Sequence, residues 1–462
     1  MTALPASDTI AAIATPPGTG GIGIIRISGP RALTILQALF KPSRPHPFFK
    51  SHTLYYGTVS DRNGTVLDEV LAVYMQAPHT YTREDVVEVH SHGSYLVLQA
   101  ILAQVLHHGA RIAEPGEFTK RAFLAGRIDL TQAEAVIDLL RAQTDTGRQL
   151  AVGQMQGHLL QRIEGIRQGL IAIMVVLEVA IDFPDDDVEI IDKGRLLTQL
   201  HDQVEDRLVE LIKMARQGKI IREGVNIVIA GLPNVGKSSL LNALLQEDRA
   251  LVAPVPGTTR DTVEEIISIG GIPARLVDTA GIRDAAGSVE ELGIQRARQK
   301  VREADLVLFL VDAARPLTAQ DLDLYESLGE ADRLVVLNKI DIADRELTAT
   351  LMEAFPGVRP VRISARQHQG LDDLEAAIYK KIAGGQVLHE RNPCAPNVRH
   401  QAVLEKVLAA CRRIHEALEA GVTADLVAVE VLAALDDLGD IVGLTTPDEV
   451  LDKIFADFCI GK

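Results

Sequence analysis

The sequence predicts a multidomain protein of the α/β plus α class, with an α+β domain first and then a helical domain that an inserted α/β domain interrupts. The hydrophobic pattern changes to three- and four-residue steps near residue 128, and this helical pattern returns after residue 384. Between about residue 224 and residue 384, apolar strands alternate with helices, which is typical of a parallel sheet covered on both faces. The length of 462 residues also gives about three domains. The predicted segments are 1–118, 119–222, 223–384 and 385–462.

The first segment has the pattern of a compact α+β domain. From residue 9 to about residue 115, short β-branched runs such as GIGIIRIS and DVVEVHSHG lie between glycine and proline turn signals. Gly18 to Gly23 formally match the GxGxxG pattern of dinucleotide-binding folds. Because Pro16 and Pro17 precede this run and a strand follows it, we interpret it as a backbone turn.

Apolar residues at helical spacing predict the helical domain on both sides of the insertion. The repeating positions are Leu130, Ala133, Ile137 and Leu140, then Leu159, Ile163, Ile166, Leu170, Ile173 and Leu177, then Leu200, Val204, Leu208 and Leu211, and finally Leu404, Val407, Leu408, Cys411, Ile414 and Leu418. The acidic run DFPDDDVE (182–189) is interpreted as a solvated junction between helices.

A last helix is predicted from a capping box near the C-terminal end. Thr446 would be the N-cap, Pro447 the first helical residue and Glu449 the reciprocal partner. The predicted buried face of this helix consists of Val450, Leu451, Ile454, Phe455 and Phe458.

The composition excludes a broad nucleic-acid-binding surface. Asp and Glu number 63 against 47 Lys and Arg, so the formal net charge is −16. Nonspecific affinity for nucleic acids comes from clustered Lys and Arg. We therefore expect any RNA contact to be local or shared with a partner.

The cysteines and the apolar runs indicate a cytoplasmic protein. Cys394, Cys411 and Cys459 are odd in number and form no CxxC pair, which argues against a disulfide framework or a zinc finger. The longest apolar run, Gly169 to Ile181, is shorter than the roughly 20 residues that span a bilayer, so it predicts a buried helix and no membrane anchor. No secretory signal pattern is visible.

A phosphate-binding loop is the first specific motif. GLPNVGKSS, Gly231 to Ser239, satisfies the GxxxxGK[ST] pattern between an apolar strand and a helix. Backbone N–H groups of the loop would hold the phosphates, Lys237 would neutralise the β and γ oxygens, and Ser238 would ligate Mg²⁺.

Three further motifs follow in the order of a Ras-like GTPase domain. GTTRD (257–261) offers a threonine to the metal, and DTAG (278–281) ends a strand where a carboxylate can reach Mg²⁺ through water. NKID (338–341) supplies Asp341, whose carboxylate can accept two N–H bonds from guanine, whereas adenine would leave it unpaired. SAR (364–366) completes the base pocket, so the sequence predicts GTP and GDP binding.

The motifs leave the hydrolytic machinery open. Gly281 is followed by Ile282, which cannot orient water as the glutamine of Ras-like enzymes does. The side-chain carbonyl of Asn234 could help to hold a monovalent cation against the phosphates in place of an arginine. The candidates for orienting water are the acids of the following loop, Asp284, Glu290 and Glu291.

Taken together, the motifs resemble those of the MnmE (TrmE) family of tRNA modification GTPases. The matching segments are GLPNVGKSSLLNALL, GTTRD, DTAGIR, VExxGI, FCIGK, TPPGTGGIGIIRISG, EPGEFTKRAFLAGRIDLTQAEAVIDLL and AIDFPDDD. The resemblance implies a folate-binding N-terminal domain that dimerises and holds 5-formyltetrahydrofolate, and a GTPase domain that dimerises with K⁺. It also implies a FAD-containing partner, MnmG, with which such proteins add an aminomethyl or carboxymethylaminomethyl group at C5 of the wobble uridine of certain tRNAs.

The resemblance further implies roles for single residues. Glu290 would orient the attacking water, and Ser238 and Thr259 would hold Mg²⁺. The K⁺ ligands would be the Asn234 side chain, the carbonyls of Ala253 and Val255, and Thr258. The folate site would be lined by Arg26, Glu88, Arg127 and Lys462. Motifs and resemblance together give the nucleotide-binding set Asn234, Val235, Gly236, Lys237, Ser238, Ser239, Ala253, Pro254, Val255, Pro256, Gly257, Thr258, Thr259, Asp278, Thr279, Ala280, Gly281, Asn338, Lys339, Asp341, Ser364, Ala365 and Arg366.

Two features keep alternative interpretations open. Glu88, His90 and His92 share one strand face and could begin a metal site, although we favour Glu88 as an anchor for the pterin ring. Cys459 is either a catalytic or redox residue or part of a docked tail. A thiol at the C-terminal end of a helix lies at the negative end of the helix dipole, which weakens the catalytic interpretation.

The sequence therefore predicts a homodimeric, K⁺-stimulated GTPase that modifies tRNA with a folate one-carbon donor and a flavoprotein partner. The alternative is a ribosome-assembly GTPase of the Era type, which acts as a binding switch without one-carbon chemistry. That class lacks both a folate-like N-terminal domain and the FCIGK tail.

Overall fold

The computed structural model describes residues 8–45, 47–183, 192–246, 265–278, 299–355, 357–384 and 394–462. The chain divides into two compact units. The first unit consists of residues 1–137, 155–204 and 406–462, and the second consists of residues 138–154 and 205–405. The two units are defined by packing between residues, and their boundaries fall inside helices. They therefore do not test the four predicted segment boundaries, which stay predictions.

The strands of the described residues are β1 (Ile10–Ile13), β2 (Gly20–Ser28), β3 (Phe40–Pro42), β4 (Thr53–Ser60), β5 (Val66–Met75), β6 (Val86–Gly93), β7 (Arg111–Ile112), β8 (Val225–Ala230), β9 (Glu265–Ile269), β10 (Ile272–Asp278), β11 (Leu306–Asp312), β12 (Arg333–Asn338) and β13 (Val361–Arg362).

The helices with defined bounds in the same ranges are α1 (Ala32–Leu39), α2 (Tyr95–His107), α3 (Glu117–Leu124), α4 (Leu130–Arg141), α5 (Asp145–Met155), α6 (His158–Asp182), α7 (Lys193–Leu200), α8 (Asp206–Glu223), α9 (Lys237–Gln246), α10 (Ala319–Ser327), α11 (Arg345–Glu353), α12 (Leu371–Ile382), α13 (Val398–Glu419), α14 (Ala424–Val442) and α15 (Asp448–Ala456). A π-helical turn, His201–Glu205, separates α7 from α8.

A seven-stranded sheet organises the N-terminal part of the first unit. Its order is β3-β4-β5-β6-β2-β1-β7, and every neighbouring pair except β1 and β7 is antiparallel. Side chains of α1 and α2, including Ile35 and Ile101, share one buried core with Ile25 of β2 and Val89 of β6. The runs predicted as strands are β2 and β6, so the α+β prediction is confirmed. The run from Gly18 to Gly23 is a turn only in part, because β2 already begins at Gly20; a strand rather than a helix does follow Gly18, as predicted.

An ion-pair network around the buried Arg121 joins α3 to the residues just before β1. The guanidinium of Arg121, which is 6% exposed, lies 2.8 Å from Asp8, 2.9 Å from Glu84 and 2.8 Å from Glu117. Burial opposes the ionisation of Glu117, but hydrogen bonds from Arg111 and Arg121 outweigh it and hold the pKa of Glu117 below its usual range. The network therefore leaves neither Arg121 nor Glu117 as an unpaired buried charge, and it connects α3 to the residues before β1.

The helices α6 and α14 pack along each other in the first unit. Ile163, Leu170 and Leu177 are fully buried, which confirms the predicted helical spacing. The prediction that Gly169 to Ile181 form a buried helix is wrong for one face, since Val175 and Val179 are 53% and 43% exposed. The run is amphipathic because α6 buries only the stripe that faces its neighbours.

The predicted capping box is also wrong. Pro447 itself occupies the N-cap position of α15, with no side-chain cap, and the helix begins at Asp448. The hydroxyl of Thr446 instead donates to the carbonyl of Asp440 at 2.9 Å. The predicted buried face is correct at its centre, because Leu451, Phe455 and Phe458 are buried.

The second unit contains a six-stranded sheet in the order β13-β12-β11-β8-β10-β9. All neighbouring pairs are parallel except β9 with β10. Alternate residues of β11 enter different cores: Leu308 packs in one cluster and Phe309 in another. The sheet is therefore covered on both faces, as the continuous apolar strands predict. The carboxyl ends of β8, β11 and β12 lie at one edge, because these strands are parallel.

Two further findings concern membrane-spanning helices and the cysteines. Among the described residues, no helix combines the length and the apolar character that a membrane crossing requires. Cys394 and Cys411 are buried and Cys459 is exposed, and none of the three forms a disulfide within the described residues.

Candidate functional site

The phosphate-binding loop connects β8 to α9 in the second unit. Asn234 and Gly236 have positive φ angles, +63° and +99°. A Cβ atom on Gly236 would collide with the side-chain amide of Asn338. Glycine is therefore required at this position, both for the left-handed backbone and for the close approach of a second strand end.

Lys237 is the first residue of α9, and it is 8% exposed. Its Nζ atom donates to the carbonyl oxygens of Gly231 and Leu232, each at 3.0 Å. The ammonium group therefore lies inside the loop at the N-terminus of a helix, where an anionic phosphate is stabilised by backbone N–H groups and by the helix dipole.

The NKID motif contacts the phosphate-binding loop directly. Asn338 Nδ2 donates to the carbonyl of Val235 at 2.9 Å, and Asn338 Oδ1 accepts the N–H of Ala365 at 3.0 Å. Lys339 Nζ donates to the carbonyl of Asn234 at 2.7 Å. Two consecutive residues, the last of β12 and the one after it, thus hold two consecutive carbonyls of the loop, so the base-binding and phosphate-binding motifs contact each other.

Asp341 and Ser364, two residues predicted for the guanine pocket, are in direct contact. The Ser364 hydroxyl donates to Asp341 Oδ1 at 2.7 Å, and the N–H of Gln367 donates to the Ser364 hydroxyl oxygen at 3.2 Å. A carboxylate oxygen has two acceptor sites, so this bond orients Asp341 and still leaves capacity for the N–H donors of guanine. Arg366 is exposed beside this pair.

Several predicted residues lie outside the described ranges, and their roles stay predictions. Asp278 ends β10, but its side chain is not described. The residues outside the described ranges are Ala253, Pro254, Val255, Pro256, Gly257, Thr258, Thr259, Thr279, Ala280, Gly281, Asp284, Glu290 and Glu291.

The first unit contains a second polar site on its sheet. Arg26 on β2 donates from Nε to Glu88 Oε1 at 2.9 Å, and His90 Nε2 lies 3.3 Å from Glu88 Oε2. The hydrogen bond with His90 and the charge of Arg26 outweigh burial and hold the pKa of Glu88 below its usual range. The Glu88 carboxylate is therefore ionised at neutral pH, in a position that is 18% exposed.

The possible metal site on β6 is not assembled. His92 lies 2.7 Å from Asp68 instead of beside Glu88. In the part of the chain that the structure describes, Glu88, His90 and His92 do not form a group whose ligand atoms could share one ion. These positions therefore fit an anchor for a polar ligand better than a metal centre.

The C-terminal tail docks beside the Arg26–Glu88 pair. Ile460 forms an antiparallel bridge with Pro115, and Arg26 Nη1 donates to the carbonyl of Gly461 at 3.3 Å. Lys462 is half-buried next to this contact. The backbone of Cys459 accepts the N–H of Gly116 at 3.5 Å, while its thiol side is exposed. The docked-tail interpretation therefore has structural support, and a catalytic role for Cys459 stays a prediction.

Two aromatic residues of this site have no clear signal in the sequence. The Arg127 guanidinium lies 5.0 Å from the ring centre of Tyr81, and that of Arg26 lies 5.7 Å from the ring centre of Phe118. Arg127 Nη1 also donates to the carbonyl of Thr80 at 3.0 Å. Tyr81 follows a turn and belongs to no periodic pattern, so the sequence alone does not indicate that it lies at this site.

Family models match both parts of the chain. A model described as the GTP-binding protein TrmE N-terminus matches residues 9–127, and a model described as the MnmE helical domain matches residues 130–459.

Curated relatives match over nearly the whole length. The chain is 50% identical to the tRNA modification GTPase MnmE of Desulfotalea psychrophila, covering 99% of this chain and 98% of the relative. It is 44% identical to the protein of the same name from Natranaerobius thermophilus, covering 98% and 99%.

Solved structures similar to part of the chain include a variant of Aquifex aeolicus Era bound to GDP and AlF4 and the G domain of the FeoB iron transporter of T. maritima. Each is 29% identical, with TM-scores of 0.29 and 0.26. They cover 40% and 35% of this chain, and 67% and 98% of the respective structures. The full-length relatives carry the assignment: the chain belongs to the MnmE family of tRNA modification GTPases and is a GTPase that acts in tRNA modification.

Proposed function

We propose that this chain is a K⁺-stimulated, cytoplasmic GTPase whose hydrolysis cycle drives modification at C5 of the wobble uridine of certain tRNAs. A tetrahydrofolate such as 5-formyltetrahydrofolate would provide the one-carbon unit, and a FAD-containing MnmG protein would be the partner. One observation carries the proposal beyond GTP hydrolysis. The C-terminal tail docks beside the Arg26–Glu88 pair and so gives this GTPase a second polar site.

The chemistry of the second site suits a folate. The ionised Glu88 carboxylate can accept hydrogen bonds from the N–H groups of a pterin ring, and Arg26 holds that carboxylate in position. Arg127 and Lys462 would add positive charge for the carboxylates of the folate tail. The aromatic ring of Tyr81, beside Arg127, offers an apolar surface of the kind that small-molecule sites use for planar groups.

Folate binding by the full chain tests this proposal. We expect the wild-type chain to bind 5-formyltetrahydrofolate in isothermal titration calorimetry. Glu88→Gln should weaken the affinity by about tenfold or more, because a charged acceptor is replaced by a neutral one. The matched control is Glu69→Gln, an exposed glutamate on the neighbouring β5 that bonds Tyr56.

Two outcomes would count against the folate site. Binding that Glu88→Gln leaves unchanged would reject the role of Glu88. No binding by the wild-type chain would leave a GTPase without a one-carbon site, which is the behaviour expected of an Era-type switch.

The nucleotide site also contains donors that suit metal ions. Ser238 and Asn234 are exposed at the phosphate-binding loop, and hydroxyl and amide oxygens are suitable ligands for hard cations. Bound Mg²⁺ and K⁺ would neutralise phosphate charge. Ser238 and Thr259 would hold Mg²⁺, and Asn234, Thr258 and the carbonyls of Ala253 and Val255 would hold K⁺.

GTP turnover should therefore be faster in K⁺ than in Na⁺, and equal rates would contradict the K⁺ site.

The partners follow from surface chemistry. Tyr56 and Leu71 are opposite each other on β4 and β5 and are 53% and 41% exposed, which supports a homodimer formed through the N-terminal sheet.

The net charge of −16 supports weak tRNA binding by this chain alone, with basic surface supplied by the flavoprotein. Tight, salt-resistant tRNA binding by the isolated chain would contradict the proposal that the flavoprotein supplies the basic surface.

A further inference from the structure

Asp312 is the last residue of β11, and its carboxylate lies at the same edge of the sheet as the nucleotide site. Oδ2 is 2.6 Å from Lys339 Nζ, and Oδ1 accepts the N–H of Ala314 at 3.0 Å. The Asp312 side chain is 13% exposed and that of Lys339 is 31% exposed. Both oxygens of this carboxylate are thus engaged, one by the backbone that follows β11 and one by the ammonium group.

The same ammonium group also bonds the phosphate-binding loop. Lys339 Nζ donates to the carbonyl of Asn234 at 2.7 Å, and both residues have positive φ angles, +69° and +63°. Left-handed backbone is unfavourable for residues other than glycine, so contacts around these two positions must maintain it. The Lys339 ammonium therefore bonds both the Asp312 carboxylate and the loop carbonyl.

We propose that Asp312 is a positioning residue for guanine nucleotide binding, which holds Lys339 against the carbonyl of Asn234. Through that bond the carboxylate keeps the phosphate-binding loop in its nucleotide-binding conformation. A negative charge at this strand end lowers the freedom of the flexible Lys339 side chain, which alone would sample many rotamers in solvent. The inference concerns the GTPase site and does not depend on folate or K⁺.

The release of fluorescently labelled GDP from the full chain, measured by stopped flow, tests the proposal. Asp312→Ala should release GDP roughly tenfold faster, as expected for the loss of one charge-assisted hydrogen bond at a partly exposed site. Asp312→Asn can still accept a hydrogen bond from Lys339 and should give an intermediate rate. The KM for GTP should rise with the release rate, while kcat at saturating GTP stays within about twofold.

A double-mutant cycle separates positioning from general support of the fold. In the Lys339→Ala background, Asp312→Ala should cause no further acceleration, because the group on which it acts is gone. Asp332→Ala is the matched control: it removes a Lys–Asp pair, 2.7 Å from Lys381, next to the opposite end of β12. Its release rate should equal that of the wild type.

The proposal is overturned if Asp312→Ala releases GDP at the wild-type rate, or if it accelerates release equally in the Lys339→Ala background. If Asp312→Ala does not fold, the GDP release rate is measured with the nearly isosteric Asp312→Asn instead. A wild-type release rate for Asp312→Asn would then reject the proposal.

Discussion

Asp341→Asn should reduce the affinity for GTP by about a hundredfold or more and should raise the affinity for xanthosine triphosphate. The Asp341 carboxylate is oriented by the hydroxyl of Ser364 and would accept two N–H groups of guanine. Asparagine provides one acceptor and a donor, so it loses one charge-assisted bond and faces a guanine amino group with its own NH₂. Xanthine has a carbonyl where guanine has that amino group, and so it matches asparagine.

Competition between GTP and xanthosine triphosphate for the labelled-GDP site measures this change. Asp344→Asn is the matched control, since Asp344 caps α11 and asparagine is an equally good N-cap. The control should keep the wild-type preference for GTP. An Asp341→Asn variant that also keeps this preference would contradict the assignment of the guanine pocket.

Glu290→Ala should abolish most hydrolysis while leaving GTP binding close to that of the wild type. A carboxylate that orients or deprotonates the attacking water contributes roughly 10²- to 10⁴-fold to the rate. A residue with that role need not contact the base or the phosphates, so we expect binding to be independent of it. Single-turnover hydrolysis of GTP in K⁺, together with labelled-nucleotide affinity, measures the two effects separately.

The neighbouring acids supply the controls for Glu290. Asp284→Ala and Glu291→Ala remove the other two candidate carboxylates and should retain turnover within a few-fold of the wild type. If one of these variants loses hydrolysis and Glu290→Ala keeps it, the water-orienting role belongs to that residue instead.

The local structure was largely predictable because it depends on short-range patterns. The strand predicted around Arg26 and the loop that begins α9 are present where turn residues and periodicity indicate. The meeting of Asp341 with Ser364 was also predictable, because the carboxyl ends of parallel strands share one edge of a sheet.

Contacts between distant segments were not predictable in the same way. The bond from Arg26 to Gly461 joins residues 435 positions apart, and nothing in the pattern of either segment specifies it. The exposure of Val175 depends on which face of α6 its neighbours cover, which the apolar run alone does not determine. The capping prediction at Thr446 failed because Asp440, on another helix, supplies a competing carbonyl acceptor for the hydroxyl.

The position of Asp312 was predictable from the sequence, but its bonding partner was not. The run ADLVLFLVD ends in a carboxylate at the strand next to NKID, so a polar residue at the site edge could be inferred from sequence. Its specific partner, Lys339, depends on the register of β11 with β12, in which Asp312 is opposite Asn338. Both faces of these two strands are apolar, so the hydrophobic pattern does not specify their register.

Nucleoside analysis shows most directly whether this GTPase serves tRNA wobble-uridine modification. Total tRNA would be digested and analysed by mass spectrometry from a strain without the gene for this chain and from the same strain with the gene restored. We expect the aminomethyl and carboxymethylaminomethyl groups at C5 of wobble uridine to disappear in the deletion strain and to return with the wild-type gene, but to return poorly with Glu88→Gln. Unchanged wobble uridines in the deletion strain would contradict the proposed role.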